Sequence, residues 1–435
     1  MLKKRSGLLY IKKRTFKEAL TLGIFVFPFI MSFLLEFLHF PSLIKYAVDG
    51  MYFIAVILVM LERGKIIEKK YAPFAVFTVV FLFYTLFIYL FNFQSPFYYL
   101  WGLRNNFRFF AAFFLFAMVF DEEEANGCLR FMDVVFWLNA IVTAFQFFFM
   151  GLRQDYLGGL FGVERGCNAY TVIFFAIVLS KSLLNFMLGN EKTGICLLKC
   201  GTALLISAMA ELKFFFILFV IILAFCTVMT RFSFKKALLI IVAALLLTVS
   251  GLLLPIFFGE SRALTVENIL KTITASNYSS ARDLGRFTAI PIISREILTT
   301  PLSRLFGMGL GNCDTSSFAI CNSSFYQSHA YMNYNWFSSA FLFLETGYVG
   351  LMAYLSFFVL VFINAWRRMK KKVSDQLFCR IAMIMSIVCF IMVFYNSSLR
   401  TEIAYMAFFS LALPFVNRTK NNVAETESIN EEVSV

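Results

Sequence analysis

Charge is what this chain has least of. Only 15% of its 435 residues are Asp, Glu, Lys or Arg, where a soluble globular protein carries about 25%. So few charges cannot cover a water-soluble particle of this length, which excludes a soluble enzyme with one anchor and a disordered chain. Histidine is nearly missing: there are two, His39 and His329. No Cys/His cluster has zinc spacing, which disfavours a metal hydrolase. No Gly-rich phosphate loop closes on Lys-Ser/Thr, which disfavours an ATP-driven pump. Most of the nine Cys lie in apolar blocks, where a thiol behaves as a small hydrophobe, so a secreted disulfide scaffold is excluded as well. No cleavable signal is evident, because the basic start (Lys3, Lys4, Arg5, Lys12, Lys13, Arg14) leads into a block too long for a signal core.

What is present is apolar: 60% hydrophobic residues, with 58 Phe. A bilayer core of about 30 Å needs roughly 20 apolar residues as a helix, and only helices and closed barrels span it. The blocks are continuously apolar, without period two, and so predict an all-α polytopic membrane protein. They fall near 19–39, 43–61, 72–92, 103–120, 128–150, 167–188, 194–210, 212–230, 237–258, 347–365, 377–395 and 401–416, about twelve spans. Lys45 and Asp49 weaken the second, and only Glu211-Leu212-Lys213 divides 194–230.

Charge asymmetry orients the chain. With the N-terminus inside, alternate loops carry Arg63/Lys65/Lys69/Lys70, Arg231/Lys235/Lys236 and Arg367/Arg368/Lys370/Lys371/Lys372. The net charge of +13 is thus a matter of sidedness, and no nucleic-acid partner is implied. Four regions follow: helices over 1–258 with a short outer loop at 151–166, a large outer loop at 259–346, helices over 347–416, and a polar cytoplasmic tail at 417–435. A connection as long as 259–346 is usually functional or disordered, and its aromatic, Gly, Asn and Ser content reads as a folded cap. Gly307-Met308-Gly309-Leu310-Gly311 within it reads as a turn. Cys313 and Cys321, also in this loop, are candidates for a disulfide that spacing alone neither requires nor excludes.

Cations on the outer side run against the rule and ask for partners. Arg104 and Arg108 share a helix face at i and i+4, with snorkelling to headgroups as the plain alternative. Arg153, Asp155 and Arg165 lie in the short outer loop, and Lys213 beside Glu211, where pairing across the turn would suffice. Arg282 and Arg286 precede Ile290, Ile293, Ile297 and Leu298, whose spacing predicts an interfacial helix with both arginines on one face near its start. His329 stands near the aromatic run Tyr326, Tyr331, Tyr334 and Trp336, and Glu345 reads as an acid at a helix start. Tyr and Trp suit a membrane-interface belt as well as stacking on sugar rings. Convergent Arg and Lys at the outer surface suit a phosphate or diphosphate.

The order of these features resembles that of bacterial O-antigen ligases and O-antigen or capsule repeat-unit polymerases of the Wzy type. The residues that carry it are Gly285-Arg286, Pro301-Leu302, Gly307 to Gly311, His329 and Glu345 to Gly350. Upstream, Gln154 to Gly162 is similar to an outer loop of capsule polymerases, and Ala210-Glu211-Leu212-Lys213 to the end of their central helix. The likeness spans about 98 to 365. Ala330 after the His, where ligases tend to have Asn, and Lys213, where they tend to have Arg, favour a polymerase. The resemblance implies that a polyprenyl-diphosphate-linked glycan is transferred to a sugar hydroxyl on the next lipid-linked repeat unit, at the outer face of the bacterial cytoplasmic membrane. No metal or cofactor is implied. It assigns Arg286 and Lys213 to the diphosphate, with Arg282, Arg165 and Arg104 as further candidates. His329 becomes a diphosphate ligand or general base, and Glu345 and Asp155 alternative bases or acceptor-sugar ligands. Arg108, Arg153 and Tyr331 are further substrate contacts. A chain-length regulator and a flippase are the partners it implies; a ligase moving finished glycan, or a glycolipid flippase, are the alternative activities.

Overall fold

The computed structural model describes residues 15–63, 68–230, 233–259 and 282–418, with 265, 267, 268, 274, 275 and 277 between the last two ranges. Among the described residues nine helices come first: α1 (Phe16–Ser32), α2 (Ala47–Arg63), α3 (Ala72–Phe91), α4 (Pro96–Val119), α5 (Glu122–Phe148), α6 (Asn168–Leu188), α7 (Thr193–Met209), α8 (Lys213–Val228) and α9 (Phe234–Phe258). Short helices α10 (Ala289–Glu296), α11 (Pro301–Phe306) and α12 (Ser324–His329) follow, then α13 (Ser338–Lys370), α14 (Gln376–Tyr395) and α15 (Ala404–Ala412). Among the described residues the one β feature is an isolated bridge between Asp121 and Asn417.

Local sequence explains where several helices begin. Thr15 and Glu18 close a capping box on α1, and Asp121 and Glu124 close one on α5. The acidic run 121–124 is therefore a helix start, with Glu122 and Glu123 in the first turn favoured by the positive end of the dipole. Between α7 and α8 the chain turns tightly, with Glu211 left-handed at φ 53°.

Among the described residues eight helical segments are long and apolar enough to cross a membrane: Phe16–Phe37, Ser42–Glu62, Ala72–Phe91, Glu122–Phe148, Asn168–Leu188, Lys236–Phe258, Ser338–Lys370 and Gln376–Tyr395. The other four expected segments coincide with helices that are shorter (α7, α8, and α15 with its extension) or more polar. α4 has the length but carries Arg104, Asn105, Asn106 and Arg108. The lipid-facing pattern is plain on α9, where Leu238, Ile241, Leu245, Val249, Leu252 and Ile256 form one exposed apolar stripe at helical spacing. α6 lies at the centre and is buried on nearly every residue, packing against α7, α8 and α14.

Lipid tails are as apolar as the side chains, so helix association here depends on packing rather than on escape from water. Phenylalanine supplies much of it. Phe357 of α13 meets Phe110 (4.9 Å between centroids, 73°) and Phe113 (5.4 Å, 81°) of α4 edge to face, and stacks on Phe408 of α15 at 5.5 Å. Such pairs contribute about 0.5–1.5 kcal/mol beyond their area.

Two expected boundaries are corrected. Helix begins already at Ser338, so Ser338 to Thr346 are buried helix and not loop, and Gly347 divides them from the helix on which the expected span 347–365 lies. The acid Glu345 argues against a buried position in sequence, yet one of its carboxylate oxygens is held by two backbone N–H groups. The helix breaks just after it, at Gly347 (φ 63°, ψ −168°). Arg282 and Arg286 do not share a helical face: the chain turns through 282–288, where Leu284 N–H bonds the Met332 carbonyl at 3.0 Å, and α10 starts only at Ala289. The apolar side of that segment is as expected, with Ile293 and Leu298 buried and Ile290 and Ile297 against the core.

Candidate functional site

One cavity of about 390 Å³ collects part of the expected site, within the size range of small-molecule sites. Its walls come from the end of α1, the loop 151–166, the α7–α8 turn, Arg286 ahead of α10, Trp336 and Phe337 ahead of α13, and the segment following α14.

The loop 151–166 is held in place by polar side chains from two helices. On α5, Gln146 bonds both the N–H and the C=O of Gly159 (2.7 and 2.9 Å), and Asn139 accepts from Leu160 N–H at 2.9 Å. On the α1 side, Ser32 donates to the Phe161 carbonyl at 2.7 Å and Glu36 accepts from Val163 N–H at 2.8 Å. A loop fastened at so many points is a rigid wall.

Two guanidinium groups meet at this cavity from separate segments, each on an aromatic ring. Arg286 lies over Tyr395 at 3.8 Å, and Tyr395 in turn stacks on Phe214 at 4.0 Å. Arg165 lies over Trp336 at 5.2 Å. Stacking fixes the plane of a guanidinium while leaving its N–H fork at the edges. Lys45 adds a third cation, and Glu36, Asp155, Glu164 and Glu211 are the carboxylates. Cys167 also lines the wall, its thiol donating to the Asp155 carbonyl at 3.5 Å.

Of the expected residues, Arg286, Arg165 and Asp155 line this cavity. Asp155 accepts from the Asn168 amide at 3.3 Å. Lys213 stands one step away, 3.4 Å from Glu211. The others are elsewhere. Arg104 pairs with Asp49, its Nε at 2.9 Å, and lies between the rings of Tyr46 and Trp101. Arg108 is buried beside Glu402 at 3.8 Å. Both belong to an ionic layer under the cap that also includes Asp314 and Arg400 (3.7 Å). Arg153 rests on Phe147 at 3.8 Å, and Arg282 is exposed. His329 stacks on Phe325 at 4.4 Å, with Nδ1 2.8 Å from Ser328 Oγ; Tyr331 is 56% exposed beyond it. Neither lines the cavity.

Glu345 is corrected outright as a helix-start acid open to substrate. It is 0% exposed, and its Oε1 accepts from Gly311 N–H at 2.8 Å and Cys313 N–H at 3.2 Å. Gly309 N–H also bonds its main-chain carbonyl. The glycine turn has positive φ at Gly307, Gly309 and Gly311 and wraps this carboxylate in backbone donors, as a nest does. Cys313 and Cys321 are both free, so the disulfide their separation allowed is not formed.

Reading the sequence alone overlooked Glu36, Glu164 and Tyr395. Glu36 had a signal: it is a lone acid in an apolar block, and such residues are costly and functional by default. Tyr395 had none, since an aromatic at a helix end reads as interface belt. A scan against protein-family models and a search of curated proteins give no match.

Proposed function

We propose that this chain is a glycosyltransferase of the cytoplasmic membrane that polymerises polyprenyl-diphosphate-linked repeat units at the outer face. In this reading all twelve apolar helices cross and both termini face the cytoplasm. The observation that carries it is the meeting of Arg286 and Arg165, on two aromatic rings and from two separate outer segments, at one cavity. Planar forks of this kind suit the paired oxygens of a diphosphate. The carboxylates on the remaining walls suit the hydroxyls of a sugar. A ligand with an anionic end and a hydroxyl-rich end satisfies both.

In the reaction the bond from the anomeric carbon to the diphosphate oxygen breaks while an acceptor hydroxyl attacks. Negative charge grows on the departing diphosphate, and fixed cations aimed at developing charge lower the barrier. In this reading Lys45, which lines the same cavity, and Lys213, paired with the lining Glu211, add to the positive field. A gel profile of surface and lipid-linked glycan from a deletion strain tests this. Loss of a polymerase leaves single repeat units at the surface and no ladder. A full ladder stranded on the carrier lipid would point to a ligase; single units trapped facing the cytoplasm, to a flippase. Either overturns the proposal.

A further inference from the structure

The cavity holds four carboxylates, and they are not equivalent. Glu211 has the Lys213 ammonium 3.4 Å away, which holds it as a charge partner. Asp155 accepts from the Asn168 amide and is folded into its own loop, where Gly166 N–H bonds its carbonyl at 2.8 Å. Glu164 is exposed on the loop surface. Glu36 differs from all three, being half-buried and fixed by the backbone.

It lies in a π-helical turn, Phe33–Phe37, that prolongs α1; such turns recur at functional sites. Ser32 and Glu36 form one polar face aimed at the outer loop, while Phe33 and Phe37 stack on each other and stay exposed. One carboxylate oxygen, Oε2, accepts from Val163 N–H. The other lies against Gly162, at φ 112°, where a Cβ would stand 2.3 Å from Oε1. The missing side chain at Gly162 is what leaves room for the carboxylate. The result is an acid with one oxygen anchored, lining the cavity that Arg286 also lines.

We propose that Glu36 is the general base of this site and takes the proton from the acceptor sugar hydroxyl. The inference rests on the glycosyl-transfer reading above. In the step, the acceptor O–H proton passes to the Glu36 carboxylate and the acceptor oxygen bonds the anomeric carbon. The bond from that carbon to the diphosphate oxygen breaks, and its electron pair leaves with the diphosphate at the arginine wall. The proton is released from Glu36 to solvent or to the departing diphosphate, which restores the base. The groups facing Glu36 are Glu164, Lys45 and Cys167, with Asp155, Arg165, Glu211 and Arg286 on the other walls.

Glu36→Gln separates this role from that of a loop clamp, because the carboxamide oxygen still accepts from Val163 N–H. The full-length protein in vesicles, supplied with a polyprenyl-diphosphate-linked repeat unit, is assayed across pH. In Glu36→Gln, kcat is expected to fall on the order of 10²–10⁴-fold, with the KM for the lipid-linked unit within a few-fold of wild type and the acid limb of the pH–rate profile gone. Should that variant not fold, Glu36→Asp is expected to keep the acid limb at a lower kcat. A Glu36→Gln protein with near-normal kcat or an intact acid limb overturns the inference, as does a Glu36→Asp protein without one. A wild-type protein that forms no polymer overturns the glycosyl-transfer reading as well, whereas an active Glu36→Gln protein overturns this inference alone.

Discussion

Arg286 and Glu345 are both conspicuous ionisable residues in the sequence, and the structure puts them in opposite surroundings. Arg286 lines the cavity on the ring of Tyr395. Its replacement by Ala is expected to lower polymer formation by on the order of 10²–10³-fold, by analogy with loss of one oxyanion donor, with little change in thermal stability. Glu345 is enclosed and accepts from two backbone N–H groups. Glu345→Ala orphans both donors, at about 1–3 kcal/mol each, so a clear fall in Tm is expected with turnover per folded molecule retained. Thermal unfolding of the detergent-solubilised variants, with activity normalised to folded protein, separates the two. Sequence alone cannot tell these residues apart. Charge type and spacing mark both as candidates, but which oxygen meets which N–H depends on a turn more than thirty residues away. Arg104 and Arg108 teach the same lesson: their shared face was legible, their partners Asp49 and Glu402 were not.

At the scale of elements, hydrophobic periodicity and length located the helices well, because a continuous apolar block in a membrane has few alternatives to a helix. It failed where a charge lies inside a helix, as at Ser338–Thr346, and where backbone bonds outcompete helical spacing, as at 282–288. The glycine turn was legible as a turn, though not as the cradle of Glu345. A Cβ at Gly311 would stand 1.9 Å from the Tyr98 carbonyl oxygen, at φ 80°, so Gly311→Ala cannot keep α4 and the cap in register. Loss of the monodisperse folded peak in size-exclusion chromatography is expected. Gly50→Ala in α2, where a Cβ meets nothing within 4 Å, is the control. It removes a helix-interior glycine worth about 1 kcal/mol, and an unchanged or higher Tm is expected.

For the whole molecule, transfer between outer-leaflet substrates requires the cavity on one side of the membrane and the basic loops on the other. Tyr156, 48% exposed in the loop 151–166, and Lys371, exposed after α13, are placed to report the two sides. In intact cells a membrane-impermeant maleimide is expected to label Tyr156→Cys, and Lys371→Cys only after permeabilisation. Most native cysteines are buried and give a low background. The reverse pattern would place the cavity in the cytoplasm, away from any outer-leaflet substrate. The central claim, that Arg286 and Arg165 grip a lipid-linked diphosphate during glycosyl transfer, is tested most directly by reconstitution. The full-length protein in vesicles, given a polyprenyl-diphosphate-linked repeat unit, is expected to yield a glycan ladder that collapses in Arg286→Ala and weakens in Arg165→Ala. No ladder from the wild-type protein, or an unchanged ladder from the Arg286→Ala, Arg165→Ala double variant, would contradict it.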